Sequence, residues 1–491
     1  MHKCKVLTIL LLVSVLFAEQ VSLQTALKVA SVQADIMNTR LADAGYLSRD
    51  YELSAESLRP ILSKEGRTLA YVAGCEPEGF VVVSADDNLV PVIAYAEHGS
   101  FQWEENEHNV LMNMLRYDLS KRLELVDLTD AETIHDNHEQ WDRFLDAETR
   151  TLDDVESWPS AGESWTGGWI QSMWHQSDPY NQFCPMDPET GKRSIVGCVA
   201  TAMGQIVAFW QYPPSVTFTT EDNYVTRTRE IEIHAPDASI DYIDYRNGRP
   251  ANSTCAAISF ACGVGSKMNY TSEASGTYPE NSAISLEKHF KYANAESKSE
   301  DDADFYEVLE QNMKDAKPAM LWINIEDSSS GGHEIVCDGF REPEYHPEWH
   351  LNFGWGSSNP HPLPSAWYIL PYGIPYYPFV IEGVVNIEAP SGIDEQPLTD
   401  PGIRITVSPE LVVKPAEISY HLSDPAEVNV SIYDASGRGV RVLAEGTQAQ
   451  GEHTVLWDGR DGAGYRLSNG CYFVSLRTPV SYLTKRIVFI K

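Results

Sequence analysis

The stretch Gly197-Cys198-Val199-Ala200-Thr201-Ala202-Met203 places a cysteine directly before apolar and small residues at helical spacing. Tyr212-Pro213-Pro214 ends that run, because proline cannot continue a helix. A thiol at a helix N-terminus meets the positive end of the helix dipole and unpaired backbone N–H groups, and both favour a thiolate. The stretch predicts a helix that begins at a reactive cysteine. An inert cysteine in the core of an apolar helix is the alternative that this stretch alone leaves open.

Two further groups follow at long range. His333 lies 135 residues after Cys198, behind a loop of small residues, and Asn352 lies 19 residues after His333. An imidazole can pair with a thiolate and transfer protons, and an asparagine can orient the imidazole. Trp355 would shield that hydrogen bond from water. Taken alone, His333 equally fits a surface histidine, Asn352 an ordinary strand residue and Trp355 a core aromatic. Their order along the chain, however, is that of a Cys-His-Asn triad.

Gln176 precedes Cys198 by 22 residues. Its side-chain amide, together with the backbone N–H of Cys198, would form an oxyanion hole. Two nearby histidines, His346 and His350, have the spacing of metal ligands on a helix, but Pro347 and the strand-like sequence exclude that geometry. The spacing of these histidines therefore does not predict a metal site.

The composition describes an exported globular protein. The 491 residues predict several domains, and the net charge of −35 disfavours nucleic acid and anionic membranes as partners. Residues 1–18 combine a short cationic start with an apolar run and end on a small residue, which predicts a secretory signal peptide. The remaining cysteines are scattered and form neither CxxC pairs nor a disulfide scaffold.

The pattern of elements predicts an α+β protein with four segments after the signal. Residues 19–154 mix helices and strands, and their acidic end, from Asp127 to Glu156, is predicted to be a surface linker. Residues 155–390 hold every candidate catalytic group, with a helical first half and a strand-rich second half, which predicts a helical lobe facing an antiparallel sheet. Residues 391–402 form a second linker, and residues 403–491 predict an all-β sandwich.

Over roughly residues 155–390 the chain resembles the streptopain family of secreted bacterial cysteine peptidases. The resemblance rests on Gly197-Cys198-Val199-Ala200-Thr201-Ala202-Met203, Tyr212-Pro213, Cys262-Gly263-Val264-Gly265, Gly331-Gly332-His333, Cys337-Asp338-Gly339 and His350-Leu351-Asn352-Phe353-Gly354-Trp355-Gly356. It implies a papain-like two-lobed fold and no cofactor. It also implies that Cys198 is the nucleophile, His333 the general base and acid, Asn352 its orienting group, Gln176 an oxyanion donor and Trp355 a neighbour of the pair.

The flanking segments carry resemblances of their own. Gly79-Phe80-Val81-Val82-Val83-Ser84-Ala85-Asp86-Asp87 is similar to the inhibitory propeptide of the same family, which implies a zymogen inhibited by its own propeptide. Val430-Ser431-Ile432-Tyr433-Asp434, Trp457-Asp458-Gly459-Arg460-Asp461 and the C-terminal strand resemble FlgD-like or type IX secretion-associated Ig-like modules. They imply an association with the secretion machinery or the cell surface.

Two residues depart from the family pattern. Glu334 follows the histidine where the family has a small residue, and Phe353 replaces a tryptophan. Strand alternation places the Glu334 side chain opposite that of His333, so it is predicted to affect the back of the strand rather than the catalytic pair.

Together these features predict a secreted cysteine endopeptidase, made as a zymogen, that hydrolyses protein or peptide substrates through an acyl-enzyme. The alternative is a catalytically inactive surface protein that uses the same fold for adhesion or complex assembly. A protease inhibitor built on the propeptide-like segment is disfavoured, because the catalytic set is complete.

Overall fold

The computed structural model describes most of the chain between residues 20 and 489. The described residues are 20–43, 52–104, 109–146, 155–160, 164, 166–243, 245, 252–325, 332–342, 346–354, 365–371, 377, 379–390, 404–408, 411–412, 416–422, 425–434, 439–462, 464, 466–467, 470–478 and 482–489. The predicted signal peptide, the predicted linker at 391–402 and Trp355 lie outside the described residues.

The N-terminal region is a four-stranded meander with helices on both faces. Its elements are α1 (Leu23–Asp43), β1 (Ser54–Leu62), β2 (Thr68–Glu76), β3 (Phe80–Ser84), β4 (Val92–Ala96), α2 (Val110–Leu125), a 3₁₀ helix (Val126–Leu128) and α3 (Ala131–Leu145). Strand β3 is buried on both faces because Val81 and Val83 pack with α1, whereas Phe80 and Val82 pack with α2. This explains its unbroken apolar sequence.

Helix α3 corrects the prediction of a surface linker at Asp127–Glu156. The Asp130 side chain caps the helix by accepting hydrogen bonds from the backbone N–H groups of Glu132 and Thr133. Trp141 is buried, and its indole N–H donates to the carbonyl of Leu89 at 2.8 Å. One N-cap and one aromatic anchor therefore stabilise a helix whose acidic surface hides its periodicity.

The central region contains a helical lobe and an antiparallel sheet. Its elements are β5 (Glu156–Trp158), α4 (Cys198–Trp210), a 3₁₀ helix (Thr220–Asp222), β6 (Tyr224–Val225), β7 (Glu232–Ile233), a 3₁₀ helix (Ala235–Ala238), α5 (Asn252–Gly265), α6 (Glu280–Lys288), β8 (Glu296–Ser299), α7 (Phe305–Lys314), β9 (Ala319–Asn324), β10 (Gly332–Glu342), β11 (Glu348–Asn352), β12 (Ser365–Tyr368) and β13 (Val380–Val385). Helices α4 and α5 pack side by side, and α4 also packs on β10.

One sheet joins the N-terminal and central regions. Its strand order is β1-β2-β3-β4-β12-β11-β10-β9-β13-β8, and β5 pairs with β10 at one end. The junction is the antiparallel pair β4–β12, in which Tyr95 lies opposite Trp367 and Ala94 opposite Tyr368. The central sheet therefore has no exposed edge at β12, because the N-terminal region pairs with it.

Strand alternation gives the central sheet two different faces. On β10, Ile335 and Cys337 belong to the core shared with α2 and α7, whereas Val336 belongs to the core of the helical lobe with α4 and α5. Cys255 and Cys262 are buried in α5. Of the two residues of β10 nearest the candidate site, Glu334 shares the face that meets α4 with Val336, whereas His333 alternates onto the other face with Ile335.

The C-terminal region is all-β. Its strands are β14 (Arg404–Ser408), β15 (Leu411–Val412), β16 (Ala416–Leu422), β17 (Ala426–Asp434), β18 (Gly439–Gln448), β19 (Gly451–Trp457), β20 (Gly470–Arg477) and β21 (Tyr482–Phe489). They form a three-stranded sheet, β14-β16-β19, and a five-stranded sheet, β15-β21-β20-β17-β18. Ile418 and Tyr420 of the first sheet share one core with Val430 and Val474 of the second, which makes the region a sandwich.

The predicted fold class is confirmed: a helical lobe packs on an antiparallel sheet, followed by an all-β region. Within the part of the chain that the structure describes, no helix has the length and apolar character needed to cross a bilayer.

Candidate active site

Cys198 is the first residue of α4, as its sequence context predicts. Gly197 precedes it with φ +89°, and a Cβ at that position would lie 2.7 Å from the Met268 sulfur and 2.9 Å from the Ser275 carbonyl oxygen. Only glycine fits there, so the turn into the helix is fixed by close packing. The thiol is therefore held at a defined place on the helix N-terminus.

Two opposing effects act on the pKa of Cys198. Burial raises it above the ordinary value, whereas hydrogen bonds from the backbone N–H groups of Glu334, Val199 and Cys198 lower it; burial dominates. The effect of Glu334 shows that the thiol on α4 lies close to the residue that directly follows His333 on β10. The thiol is neutral near pH 7 in this form of the chain.

His333 is the second residue of β10 and is buried. Its Nε2 lies 3.1 Å from the carbonyl oxygen of Phe353, and since a carbonyl only accepts, this nitrogen carries the proton. Burial lowers the pKa of His333 to about 4, against a smaller opposing effect of the bond to Phe353. The imidazole is therefore also neutral near pH 7, and these shifts are the reverse of those that a thiolate–imidazolium pair produces.

Asn352 lies at the end of β11 and is joined to α4 through Gln205. Its Oδ1 accepts from Gln205 Nε2 at 3.2 Å and from the Gly354 N–H at 3.1 Å. Its Nδ2 donates to the Ser172 carbonyl at 3.2 Å and to Gln205 Oε1 at 3.3 Å. The oxygen and the nitrogen of the Asn352 amide therefore both have hydrogen-bond partners. These partners lie on the segment before α4, on α4 itself and at Gly354.

Gln205 is a residue that sequence reasoning missed. It is fully buried two turns after Cys198, and its Oε1 also accepts from the backbone N–H of Trp174 at 3.1 Å. It therefore fixes Asn352 and the segment that leads to Gln176 against one helix. A polar residue on an otherwise apolar helix face, seven positions after the thiol, was the available signal.

Gln176 lies beside the chain that enters α4. Its carbonyl accepts from the Val196 N–H at 2.9 Å, and its side chain is 2% exposed. Trp174 packs so closely on the helix that a Cβ on Gly204 would lie 2.6 Å from its ring. The structure thus brings Gln176 to the same end of α4 as Cys198, whereas Trp355 lies outside the described residues.

A second buried pair, also missed from sequence, lies behind the site. Asp338 Oδ1 lies 2.6 Å from His350 Nδ1, and Asp338 Oδ2 accepts from the Ile170 N–H at 2.8 Å. A Cβ on Gly168 would overlap both side chains, so the segment before α4 is pressed against β10 and β11. His350 is thereby engaged in the fold. Among the described residues there is no cluster of three or more His, Cys, Asp or Glu suited to a metal ion.

The prediction for Glu334 needs a correction. Alternation does place its side chain opposite that of His333, but this face of β10 is the one that packs on α4. The carboxyl is 2% exposed, and its Oε2 has no hydrogen-bond partner among the described residues. Burial, followed by the proximity of Cys198 and Glu382, raises its pKa well above the ordinary value. Glu334 therefore belongs to the site rather than to the back of the strand.

Sequence models of three known families match parts of this chain. Residues 174–360 match the sequence model of the Peptidase C10 family, residues 18–120 that of the Spi protease inhibitor, and residues 406–479 that of the FlgD Ig-like domain. The thiol protease/hemagglutinin PrtT of Porphyromonas gingivalis is 24% identical over 301 residues, 57% of this chain and 32% of PrtT. Streptopain of Streptococcus pyogenes is 23% identical over 315 residues, 58% of this chain and 71% of streptopain.

Among solved structures, a fragment of Prevotella intermedia prointerpain A superposes with a TM-score of 0.47 at 18% identity, covering 69% of this chain and 100% of the fragment. The chain spans about a third of the length of PrtT and about seven tenths of that of streptopain. The resemblance drawn from the motifs is confirmed. The chain carries a cysteine peptidase domain of the C10, or streptopain, family between a segment related to the Spi protease inhibitor and an FlgD Ig-like domain.

Proposed function

We propose that this protein is a secreted cysteine endopeptidase that is made as an inactive precursor. The observation that carries the proposal is the position of Cys198 at the N-terminus of α4 and its proximity to Glu334 of β10, which is close enough for each residue to shift the pKa of the other. Because Glu334 directly follows His333, this proximity supports a nucleophile on the helical lobe that meets the strand of the proposed base. A helix N-terminus, a histidine on the adjoining strand and a nearby glutamine amide supply the parts that thiol-based acyl transfer requires.

In the proposed reaction Cys198 attacks a peptide carbonyl as the thiolate. The tetrahedral oxyanion accepts hydrogen bonds from the Cys198 N–H and the Gln176 side chain. His333 takes the thiol proton and gives it to the leaving amine, and water then releases the acyl group. Asn352 orients the imidazole, and Trp355 packs beside the pair.

The electrostatics of the full-length chain fit an inactive precursor. With the pKa of Cys198 raised and that of His333 lowered to about 4, neither group is charged near pH 7. Forming the ion pair requires the His333 ring to leave the Phe353 carbonyl and the cleft to gain water. We infer that the N-terminal region, residues 19–154, is the propeptide, and that its loss from the β12 edge allows this rearrangement.

The remaining segments complete the proposal. Strand β5 pairs with β10, which supports a peptidase domain at 155–390 that begins just before this strand. Residues 1–18 would direct export and be removed. The sandwich at 403–491 would associate the protein with the secretion machinery or the cell surface, after the linker at 391–402.

Alkylation of Cys198 tests the proposal directly. We expect the purified chain, incubated in reducing buffer, to hydrolyse casein or peptides. A thiol alkylator such as E-64 should abolish turnover while adding one adduct at Cys198 by mass spectrometry. Cys198→Ala should abolish turnover, lowering kcat by about 10⁵–10⁶-fold. It should also leave the precursor uncleaved, if maturation is self-catalysed.

Cys255→Ala is the matched control, because Cys255 is buried in α5 away from the thiol site. It should hydrolyse peptides and be inhibited like the unmodified chain. Turnover that survives Cys198→Ala would contradict the proposal. A complete lack of turnover in the reduced, processed chain would favour the inactive adhesion or assembly protein instead.

A further inference from the structure

Glu334 begins a row of side chains that crosses three strands on the face of the sheet that meets α4. Trp322 on β9 lies directly opposite Glu334 on β10 and also directly opposite Glu382 on β13. Directly opposed residues share a face, with Cβ atoms about 5 Å apart. Across the sheet, the Trp322 indole therefore lies between the carboxyl groups of Glu334 and Glu382.

The indole lies between the strands rather than away from them. A Cβ on Gly332 would be 2.2 Å from the Trp322 ring, so the ring covers the position two residues before Glu334 on the same face. Trp322 is partly exposed and packs against the core of the helical lobe. The row thus runs from the Cys198 thiol outward, from the buried Glu334 to the partly exposed Trp322 and Glu382.

Among the described residues, Glu334 forms no ion pair with a cation. Glu334 is 2% exposed with an unpartnered Oε2, and each influence on its pKa, from burial, Cys198 and Glu382, disfavours the carboxylate. Glu382 accepts a hydrogen bond from the Ser297 hydroxyl, and Glu280 further raises the pKa of Glu382. A buried carboxyl without a counter-ion is costly unless a ligand supplies one.

We propose that Glu334, Trp322 and Glu382 form a specificity subsite that binds the side chain of a lysine or arginine next to the scissile bond of the substrate. The proposal rests on the proposed peptidase function and adds the substrate class. A guanidinium or ammonium would pair with the Glu334 carboxylate beside the thiol. Its alkyl stem would lie along the Trp322 indole, which also attracts a cation. The net charge of −35 favours the approach of basic substrates.

Paired reagents separate this role from an effect on the thiol. Two peptidyl epoxides, identical except for Arg or Leu adjacent to the reactive group, are compared for their rate of labelling Cys198 in the reduced, processed chain. Two fluorogenic peptides with the same difference report kcat/KM. We expect a preference for Arg over Leu of at least tenfold in both measurements.

Glu334→Gln keeps the shape of the side chain and removes the charge, and Glu334→Ala restores the small residue found in the family. Both variants should lower the Arg/Leu ratio at least tenfold, mainly through KM. Glu382→Gln should lower it by a smaller factor. Glu307→Gln, an exposed acid on α7 against the other face of the sheet, should keep the ratio of the unmodified chain.

Three results would overturn the subsite. The first is an Arg/Leu ratio near one in the unmodified chain. The second is a ratio that Glu334→Gln leaves unchanged. The third is an equal loss with both peptides in Glu334→Gln, which would mean that the carboxyl acts on Cys198. In each case Cys198 is still labelled and peptides are still cleaved, so the peptidase function stands. If no reagent labels Cys198 and no peptide is cleaved, the proposed function fails together with its subsite.

Discussion

Two regions of this molecule bury ionisable side chains, and they treat them differently. We call the first the seam: the contact between β4 and α2 of the N-terminal region and β10–β12 of the peptidase region. At its centre the Tyr95 hydroxyl accepts from Arg40 and from Arg341, each at 2.6 Å, and donates to Glu348 at 2.5 Å. Arg341 also lies 3.4 Å from Glu97. Each buried charge at this point of the seam has an opposite charge within reach.

The other half of the seam repeats the arrangement. Arg122 forms a bidentate pair with Asp118 on α2, at 2.8 and 2.7 Å, and donates to the Ile369 carbonyl at 2.6 Å. The hydroxyls of Tyr368 and Tyr377 from the peptidase region donate to the same Asp118 carboxylate. The propeptide-like helix thus carries an ion pair whose remaining hydrogen bonds come from the other region.

The second region, which we call the cleft, is the space beside α4 that Cys198 and Glu334 line. Here a buried ionisable side chain is not paired with an opposite charge. Glu334 is nearly as buried as Asp118, yet it has no ion-pair partner in the part of the chain that the structure describes, and His333 is held neutral by burial. Buried ion pairs that are fully hydrogen-bonded fit a structural contact of the full-length chain, whereas an uncompensated buried acid fits a place where another group binds. Substitutions in the seam should therefore change stability, and substitutions in the cleft should change turnover.

The largest expected effect comes from the seam. Asp118→Asn removes the only carboxylate that Arg122 contacts among its described hydrogen bonds, leaving an arginine with 4% side-chain exposure uncompensated. We expect the free energy of unfolding of the full-length chain to fall by about 3–5 kcal/mol, measured by urea denaturation. Asp118→Asn with Arg122→Met should recover most of the loss. A single variant that costs less than about 1 kcal/mol would contradict the role given to the pair.

In the cleft, Gln176→Ala should lower the catalytic rate rather than the stability of the fold. Removing one oxyanion donor lowers kcat by about 10²–10³-fold, or about 3–4 kcal/mol of transition-state stabilisation. The urea midpoint should stay close to that of the unmodified chain. Gln182→Ala, an exposed glutamine of the same lobe, is the control. If Gln176→Ala changes KM but leaves kcat intact, Gln176 binds substrate and does not stabilise the oxyanion.

Tyr95→Phe tests the hydrogen bonds at the centre of the seam. The substitution takes away one acceptor shared by Arg40 and Arg341 and one donor to Glu348. Because these bonds involve charged groups, we expect a loss of about 1.5–3 kcal/mol in the free energy of unfolding. Earlier release of the N-terminal region, followed by limited proteolysis, should accompany it. Tyr242→Phe, at an exposed tyrosine, should have neither effect.

The smallest effect is a gain of stability with a defined pH dependence. The pKa of Glu334 is raised in the folded chain, so its contribution to stability is complete below the unfolded pKa near 4.3 and is lost as pH rises above it. Glu334→Gln should therefore stabilise the precursor at pH 7 by about 1–2 kcal/mol and leave it unchanged near pH 4. Denaturation at both pH values, in a Cys198→Ala background, tests this. A stability loss at pH 7 would show that the carboxyl is compensated.

Local signals in the sequence were enough for most of the helices and strands. The run after Cys198 predicted α4, the alternation near His333 predicted β10, and the turn-separated strands after residue 403 predicted the sandwich. These predictions rest on the periodicity of apolar residues and on the residues that end helices and strands. Both are local features of the sequence. The same local reasoning missed α3, because a single buried tryptophan anchors it.

Long-range contacts decided the rest. From the sequence alone came an α+β protein, a thiol at a helix start and a distant histidine and asparagine in triad order. Only the tertiary structure decided that the N-terminal strands extend the peptidase sheet, that Gln205 holds Asn352, and that the face of β10 carrying Glu334 meets α4. Alternation fixes which side chains share a face, but packing between distant segments determines what that face meets, and burial there sets the charge state of Cys198, His333 and Glu334.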